Sequence, residues 1–386
     1  MAVFDGPMVA RWGTEHPSAP LVVAVHGNGT SEHSMIEIAP WLPHGPVTYV
    51  ALRAPILGDT GYRWYAESAP GRPDAVSLQS TVDWFLKWLD TEGDPKRPVI
   101  LLGFREGVTV AGALMVTEPS RWAGGVLLYG ALPFDVGAPM SRARLAGMPV
   151  FLAHGADDPR TPPELLTRTW EWLAKESGAP LWAERVPGGD QLAGKVVGDV
   201  CTWLADRLDH LRTHGENPLP DGEDAPWPTI PGGRLPPRTG EPPEVTPAIP
   251  QHQRSQAAPA DMQSELWNRI AALDEVTTAP STVGIDGTRA LLVDRGRASG
   301  PDAAFILPDD GEFAHLHPAP DGSLHVVLPD AQAYDALAKG WAVAHPLAGV
   351  RLSPGMVLVF GPRDPAEVEI VAGIAAASHR YATGGG

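Results

Sequence analysis

Up to about residue 212 the chain alternates two patterns. Short runs are apolar throughout: PLVVAVHG, VTYVALRAP, RPVILLG, WAGGVLLYGAL and MPVFLAHG, each of strand length. Between them lie segments with apolar residues every three to four positions. SLQSTVDWFLKWLD puts Val82, Phe85, Leu86 and Leu89 on one face, and a similar period runs from Gly107 to Thr117, through TPPELLTRTWEWLAKES and through AGKVVGDVCTWLADRLDHLR. LWAERVPG reads as a further short strand. Strands alternating with helices predict a mostly parallel sheet wrapped by helices, an α/β domain. In such sheets the working crevice opens at the carboxyl ends of the strands.

The pattern breaks at residues 213–260, where proline and glycine are dense and no apolar period survives. This stretch predicts an extended, partly disordered linker, with Trp227 and Ile230 available to pack on a neighbour. Beyond it the periods return in a different order. MQSELWNRIAAL is helical, RALLVD is a strand, and EFAHLHP and SLHVVLP flank the turn APDG as a hairpin. DAQAYDALAKGW is helical and GMVLVF is a strand. Asp364-Pro365-Ala366-Glu367 then starts a closing helix with an N-cap, a proline in the first turn and a capping-box glutamate. The expected organisation is an α/β domain over 1–212, a linker over 213–260 and a small α+β domain over 261–386.

The length of 386 residues agrees with two domains. A net charge of −17 argues against nucleic acid or an anionic membrane surface as partner. No apolar run is long enough to span a bilayer, and the first residues lack the basic and apolar regions of a signal peptide. Cys201 stands alone, so no intrachain disulfide forms, and a cytoplasmic location is expected. Abundant Ala, Gly, Pro and Arg suggest a GC-rich bacterial genome. The sequence sets no oligomeric state.

Four turns follow strands in the first domain: HGNG (26–29), GFREG (103–107), HGADDPRTP (154–162) and PGGDQL (187–192). Their order and spacing resemble the phospholipase/carboxylesterase family of α/β-hydrolases across roughly residues 18–212. LRAP (52–55), GYRWYAES (61–68) and LLYGALPFD (127–135) support the resemblance. It implies an α/β-hydrolase fold, a serine nucleophile at the elbow, a histidine before the last helix, an aspartate in the HGxxD turn and backbone oxyanion donors. Carried over position by position, Asp158 matches the aspartate, and the N–H groups of Asn28 and Glu106 match the oxyanion donors. Arg105 stands at the serine position and Asp190 at the histidine position.

No serine, cysteine or threonine lies within the elbow, Thr109 falls in the following helix, and no histidine occurs between His154 and His210. A Ser-His-Asp mechanism is therefore not expected. An arginine stays protonated and is neither nucleophile nor base at neutral pH. The expectation is an ion-paired cluster of Arg105 with Asp190, Asp158 or both, with His26, Trp64 and Tyr65 lining the pocket. Three readings stay open: a relic pocket or scaffold held by a salt bridge; a site that binds or converts a small molecule, an anion among the candidates, in bacterial secondary metabolism; and a hydrolase with an altered mechanism.

EFAHLHPAPDGSLHVVLP, AKGWAVAHPLAG and VFGPRDPAEVEIV resemble the luciferase-like domain found behind such hydrolases in actinobacteria, over about residues 262–383. His315 and His317 share a strand face, His325 lies on the partner strand, and His345 follows. The cluster is open to three readings: a pocket for a small polar ligand, structural hydrogen bonding, or a Zn²⁺ or Fe²⁺ site with Glu312 nearby. No metal and no cofactor is expected from the sequence. Arg363, just before a helix N-terminus, is a candidate anion or surface contact.

Overall fold

The apolar runs become the central strands of a seven-stranded sheet. Its strands are β1 (Val9–Gly13), β2 (Leu21–Val25), β3 (Thr48–Leu52), β4 (Val99–Phe104), β5 (Gly124–Leu128), β6 (Val150–Gly155) and β7 (Leu181–Val186), in the order β1-β3-β2-β4-β5-β6-β7. β1 is antiparallel to β3, and the strands from β3 across to β6 are parallel. Every residue of β2, β3 and β5 is buried, because helices cover both faces. This is the mostly parallel sheet of the α/β-hydrolase fold. β1 has no long apolar run and was not foreseen; it is a partly exposed edge strand.

The computed structural model describes residues 4–92, 94–218, 220 and 224–385. Two compact units emerge: one comprises Met1–Trp172 with Trp182–Asn217, the other Leu173–Leu181 with Pro218–Gly386. Among the described residues no helix is long and apolar enough to cross a membrane.

The second unit holds an antiparallel six-stranded sheet. Its strands are β8 (Thr277–Pro280), β9 (Arg289–Leu292), β10 (Glu312–Leu316), β11 (Leu324–Val327), β12 (Ala342–Ala344) and β13 (Met356–Val359), in the order β8-β9-β10-β11-β13-β12. The predicted hairpin pairs β10 with β11 and sets His315 opposite His325. The closing helix, Pro365–Thr383, starts as expected, with the Asp364 carboxylate accepting the Glu367 N–H at 2.9 Å. It buries Val368, Val371 and Ile374.

The described part of the proline-rich stretch is not a free tether. Trp227, Ile230 and Leu235 are buried. The Trp227 indole donates to Asp335 at 2.7 Å, the Arg238 N–H to Lys339 O at 2.9 Å, and Gln251 to Ala344 O at 3.0 Å. From residue 224 onward the segment is a strap on the second unit. Prolines lack the N–H, so these anchors come from the side-chain and backbone N–H groups of the residues between them. Positions 219 and 221–223 lie outside the described residues.

Candidate functional site

The elbow forms where β4 meets the helix Glu106–Thr117. Arg105 caps that helix at φ 52°, ψ −120°, a conformation that costs on the order of 1–3 kcal/mol for a non-glycine residue. Hydrogen bonds fix it: Arg105 N–H donates to Leu128 O and Val108 N–H donates to Arg105 O, both at 2.9 Å. The arginine thus inherits the strained apex of the resembled turn.

Its guanidinium reaches Asp190, with Nε 2.9 Å from Oδ2. The approach is off the line of a directed hydrogen bond, so the contact is an ion pair. Nε and Nη2 also donate to the Asp190 carbonyl at 3.3 and 3.2 Å. A second cation, unforeseen from the sequence, shares that carboxylate: Arg160 Nε lies 2.8 Å from Asp190 Oδ2. Asp158 does something else. Its Oδ1 accepts the backbone N–H groups of Arg160 and Thr161 at 2.8 and 3.0 Å, and no bond from Arg105 reaches it among the described residues. Of the two expected pairings only Arg105–Asp190 forms among the described residues, while Asp158 Oδ1 shapes its own turn.

One of the two backbone N–H groups expected as oxyanion donors is already taken: Asn28 N–H donates to Glu106 Oε2 at 2.8 Å. Beside it lies a cavity of ≈ 250 Å³ lined by Tyr65, Glu67, Arg105, Glu106, Arg160 and Thr161, among others. Burial and the Glu106 charge raise the pKa of Glu67. Burial pushes the Tyr65 phenol up as well. A larger cavity, ≈ 630 Å³, sits at the opposite ends of the strands beside Pro20, Val47 and Pro98, away from this chemistry.

His26 and Trp64 are not cavity-lining. The His26 Nε2 accepts the Ala54 N–H at 3.1 Å, its Nδ1 donates to Gly27 O at 2.7 Å, and the Trp64 indole donates to His26 O at 2.7 Å. Both rings are fully buried supports behind the turn. Burial lowers the His26 pKa. It takes His154, which donates from Nε2 to Gly130 O, down to about 4.

The sign of that shift gives a testable pH dependence. The folded state holds His154 neutral, whereas the unfolded chain protonates it below about pH 6.5. The stability it contributes is present at neutral pH and is lost as pH falls toward 4. Denaturant midpoints of the first unit should fall through this window. His154→Gln should flatten the dependence by about 1 kcal/mol per pH unit near pH 5.

In the second unit four histidines meet at the hairpin. His315 Nδ1 donates to Glu312 at 2.6 Å, and Ser281 donates to the same carboxylate at 2.9 Å. His317 Nδ1 donates to Asp321 at 2.9 Å. Gln251 uses its amide N–H on Ala344 O, so its oxygen accepts from His325 Nε2 at 3.0 Å. His345 Nδ1 accepts the Leu347 N–H at 3.1 Å, which leaves its proton on Nε2. One nitrogen each from His315, His317 and His325 lies within 4.8 Å of the others. All four rings are buried, and burial lowers the pKa of His315, His325 and His345, the last to about 3. Arg363 is no anion site: it pairs with Glu367 and donates to Thr239 O at 2.9 Å.

Residues 74–181 match the family model described as Phospholipase/Carboxylesterase, and residues 310–378 match the one described as Luciferase domain. A luciferase of Armillaria ostoyae is 32% identical over 177 residues, covering 39% of this chain and 61% of that protein. A luciferase of Neonothopanus nambi is 28% identical over 164 residues, with the same coverage of 39% and 61%. The chain thus spans less than two thirds of the length of these relatives. Acyl-protein thioesterase 1 of Cryptococcus neoformans is 24% identical over 181 residues, covering 42% of this chain and 76% of that protein. Among solved structures, a Bacillus cereus carboxylesterase aligns over 52% of this chain and 93% of its own, with 21% identity and a TM-score of 0.44.

Proposed function

We propose, from an α/β-hydrolase fold joined to a luciferase-like domain, that the first unit performs no acyl transfer and serves as a scaffold. On this reading the chain's small-molecule chemistry belongs to the histidine cluster of the second unit. One observation carries the first half: the three places an ester would need are filled by the protein's own charges. Arg105 holds the apex, Asp190 stands where the base would be, and Glu106 occupies the Asn28 N–H. An anion gains little here, because both guanidiniums are already on Asp190 and two carboxylates, Glu67 and Glu106, line the same cavity. The small anionic ligand expected from Arg105 alone would have to displace Asp190.

The test is direct. The purified full chain should hydrolyse neither p-nitrophenyl acetate nor an acyl thioester above the buffer rate, and a fluorophosphonate probe should leave it unlabelled. Turnover that disappears in Asp190→Ala, with the fold intact by circular dichroism, would overturn the reading in favour of a hydrolase with an altered mechanism.

A further inference from the structure

We infer that His315, His317 and His325 form a binding site for one divalent first-row transition ion, with zinc or ferrous iron the best-suited class. This replaces the assignment of no metal, and it deepens the reading that the histidine cluster is the chain's reactive centre.

Tautomers carry the argument. Each of the three rings has its proton-bearing nitrogen engaged outward: His315 on Glu312, His317 on Asp321 and His325 on the Gln251 amide oxygen. Each therefore keeps a lone pair on its other nitrogen. The His315 Nε2 and the His325 Nδ1 are 3.0 Å apart. Two lone pairs at that distance repel unless something electropositive lies between them. Two imidazole nitrogens on one ion at about 2.1 Å each, at right or tetrahedral angles, stand about 3.0–3.4 Å apart. The observed spacing falls in that range. The third ring supplies a nitrogen within 4.8 Å of both, and binding one ion would draw it in to about 3.4 Å.

The surroundings fit the same ion. Histidine ligands ordinarily donate their other N–H to a carboxylate or carbonyl, which fixes the ring and raises its basicity. Here two rings face carboxylates and one faces an amide that is itself fixed by Ala344. The buried Glu312 and Asp321 carboxylates behind the rings favour a cation among them. Ligand chemistry narrows the class, since imidazole suits Zn²⁺, Fe²⁺ and Cu²⁺ rather than Ca²⁺ or Mg²⁺. His345 is not a fourth ligand, because its Nδ1 takes the Leu347 N–H and its ring meets His325 edge-on at 5.2 Å. Three protein ligands leave a position open on the ion, as in sites that bind a substrate or activate a water.

The experiment uses the full chain, stripped by EDTA dialysis and titrated with Co²⁺ alone, then with Zn²⁺ in competition. The expected result is one equivalent of Co²⁺ with visible ligand-field bands, displaced by one equivalent of Zn²⁺. His325→Ala should weaken binding by 100-fold or more. Glu312→Gln, which keeps all three ligands and most of the packing, should weaken it roughly 10–100-fold. Circular dichroism separates loss of the site from loss of the fold. A folded wild type that binds neither Co²⁺, Zn²⁺ nor Fe²⁺ would overturn the inference, as would binding that Glu312→Gln and His325→Ala leave unchanged. A proton shared between His315 and His325, seen in ¹⁵N spectra that metal does not perturb, would overturn it too. None of these readouts depends on ester turnover, so the metal site and the inert first unit fail separately.

Discussion

Gly107→Ala should destabilise the first unit by about 3 kcal/mol, although the apex residue of its turn is Arg105. A Cβ on Gly107 would stand 2.1 Å from the Val25 carbonyl oxygen, where backbone rather than a pliable side chain is in the way. Val25 belongs to β2, which pairs with strands on both sides, so it cannot retreat without breaking the sheet. Gly198→Ala is the control. That glycine lies in the helix Gly194–His214 with nothing near the added methyl, and the change should stabilise by about 0.5–1 kcal/mol. Denaturant unfolding followed by tryptophan fluorescence reads both. If Gly107→Ala left the midpoint unmoved, the close approach of β2 to the elbow helix would be wrong, and with it the placement of Glu106 on Asn28. The prediction separates two reasons for an elbow glycine: serving a nucleophile, and letting a helix start against a neighbouring strand. The close contact of Gly107 with Val25 O tests the second.

The elbow was readable because its signals are local. Four apolar residues, two glycines and a helical period fit into twelve positions, and each has one structural meaning. The presence of Arg105 at the elbow apex and of Asp190 before the last helix was readable for the same reason, and their pairing followed from charge. What closed the crevice was harder to see. Glu106 and Asn28 are 78 positions apart, and nothing in the spacing says that the glutamate side chain folds back onto that N–H. The signal existed, in that an acid directly follows the apex, where it stands beside an oxyanion donor. Arg160 was visible in the same turn as Asp158 but has no period to place it. Asp158 looked equivalent to Asp190 by type, and only the turn geometry shows that its Oδ1 accepts two backbone N–H groups of its own turn.

The histidines show the same division. The i, i+2 spacing and the hairpin put His315, His317 and His325 together from the sequence, and the strand register makes His315 face His325 directly. Their outward partners were not legible as a set. Glu312 is nearby in sequence, but Gln251 comes from 74 positions away, inside a stretch whose composition reads as linker. Proline-rich sequence hides order because it carries no period. Its information lies in the isolated apolar residues, each of which must be buried somewhere.

Trp227→Ala tests that strap, and it should cost the second unit about 3–5 kcal/mol. The ring is fully buried, its indole donates to the buried Asp335 at 2.7 Å, and its backbone N–H donates to Gly233 O at 2.9 Å. Truncation leaves a large cavity and takes one partner from Asp335, whose remaining ion pair with Lys339, at 2.9 Å, limits the electrostatic part of the loss. The consequence extends along the strap to the histidines. Gln251 orients His325, and Gln253 accepts the Gly361 N–H at 2.9 Å while its own N–H donates to Asp321 at 3.1 Å, so the strap bonds one ring directly and the carboxylate partner of a second. A strap released at Trp227 should therefore be cut by protease between residues 224 and 258 under conditions that leave the wild type whole, and Co²⁺ uptake should weaken in parallel. Were Trp227→Ala as stable and as protease-resistant as the wild type, the segment would be a tether resting on the surface, and the orientation of His325 would need another source.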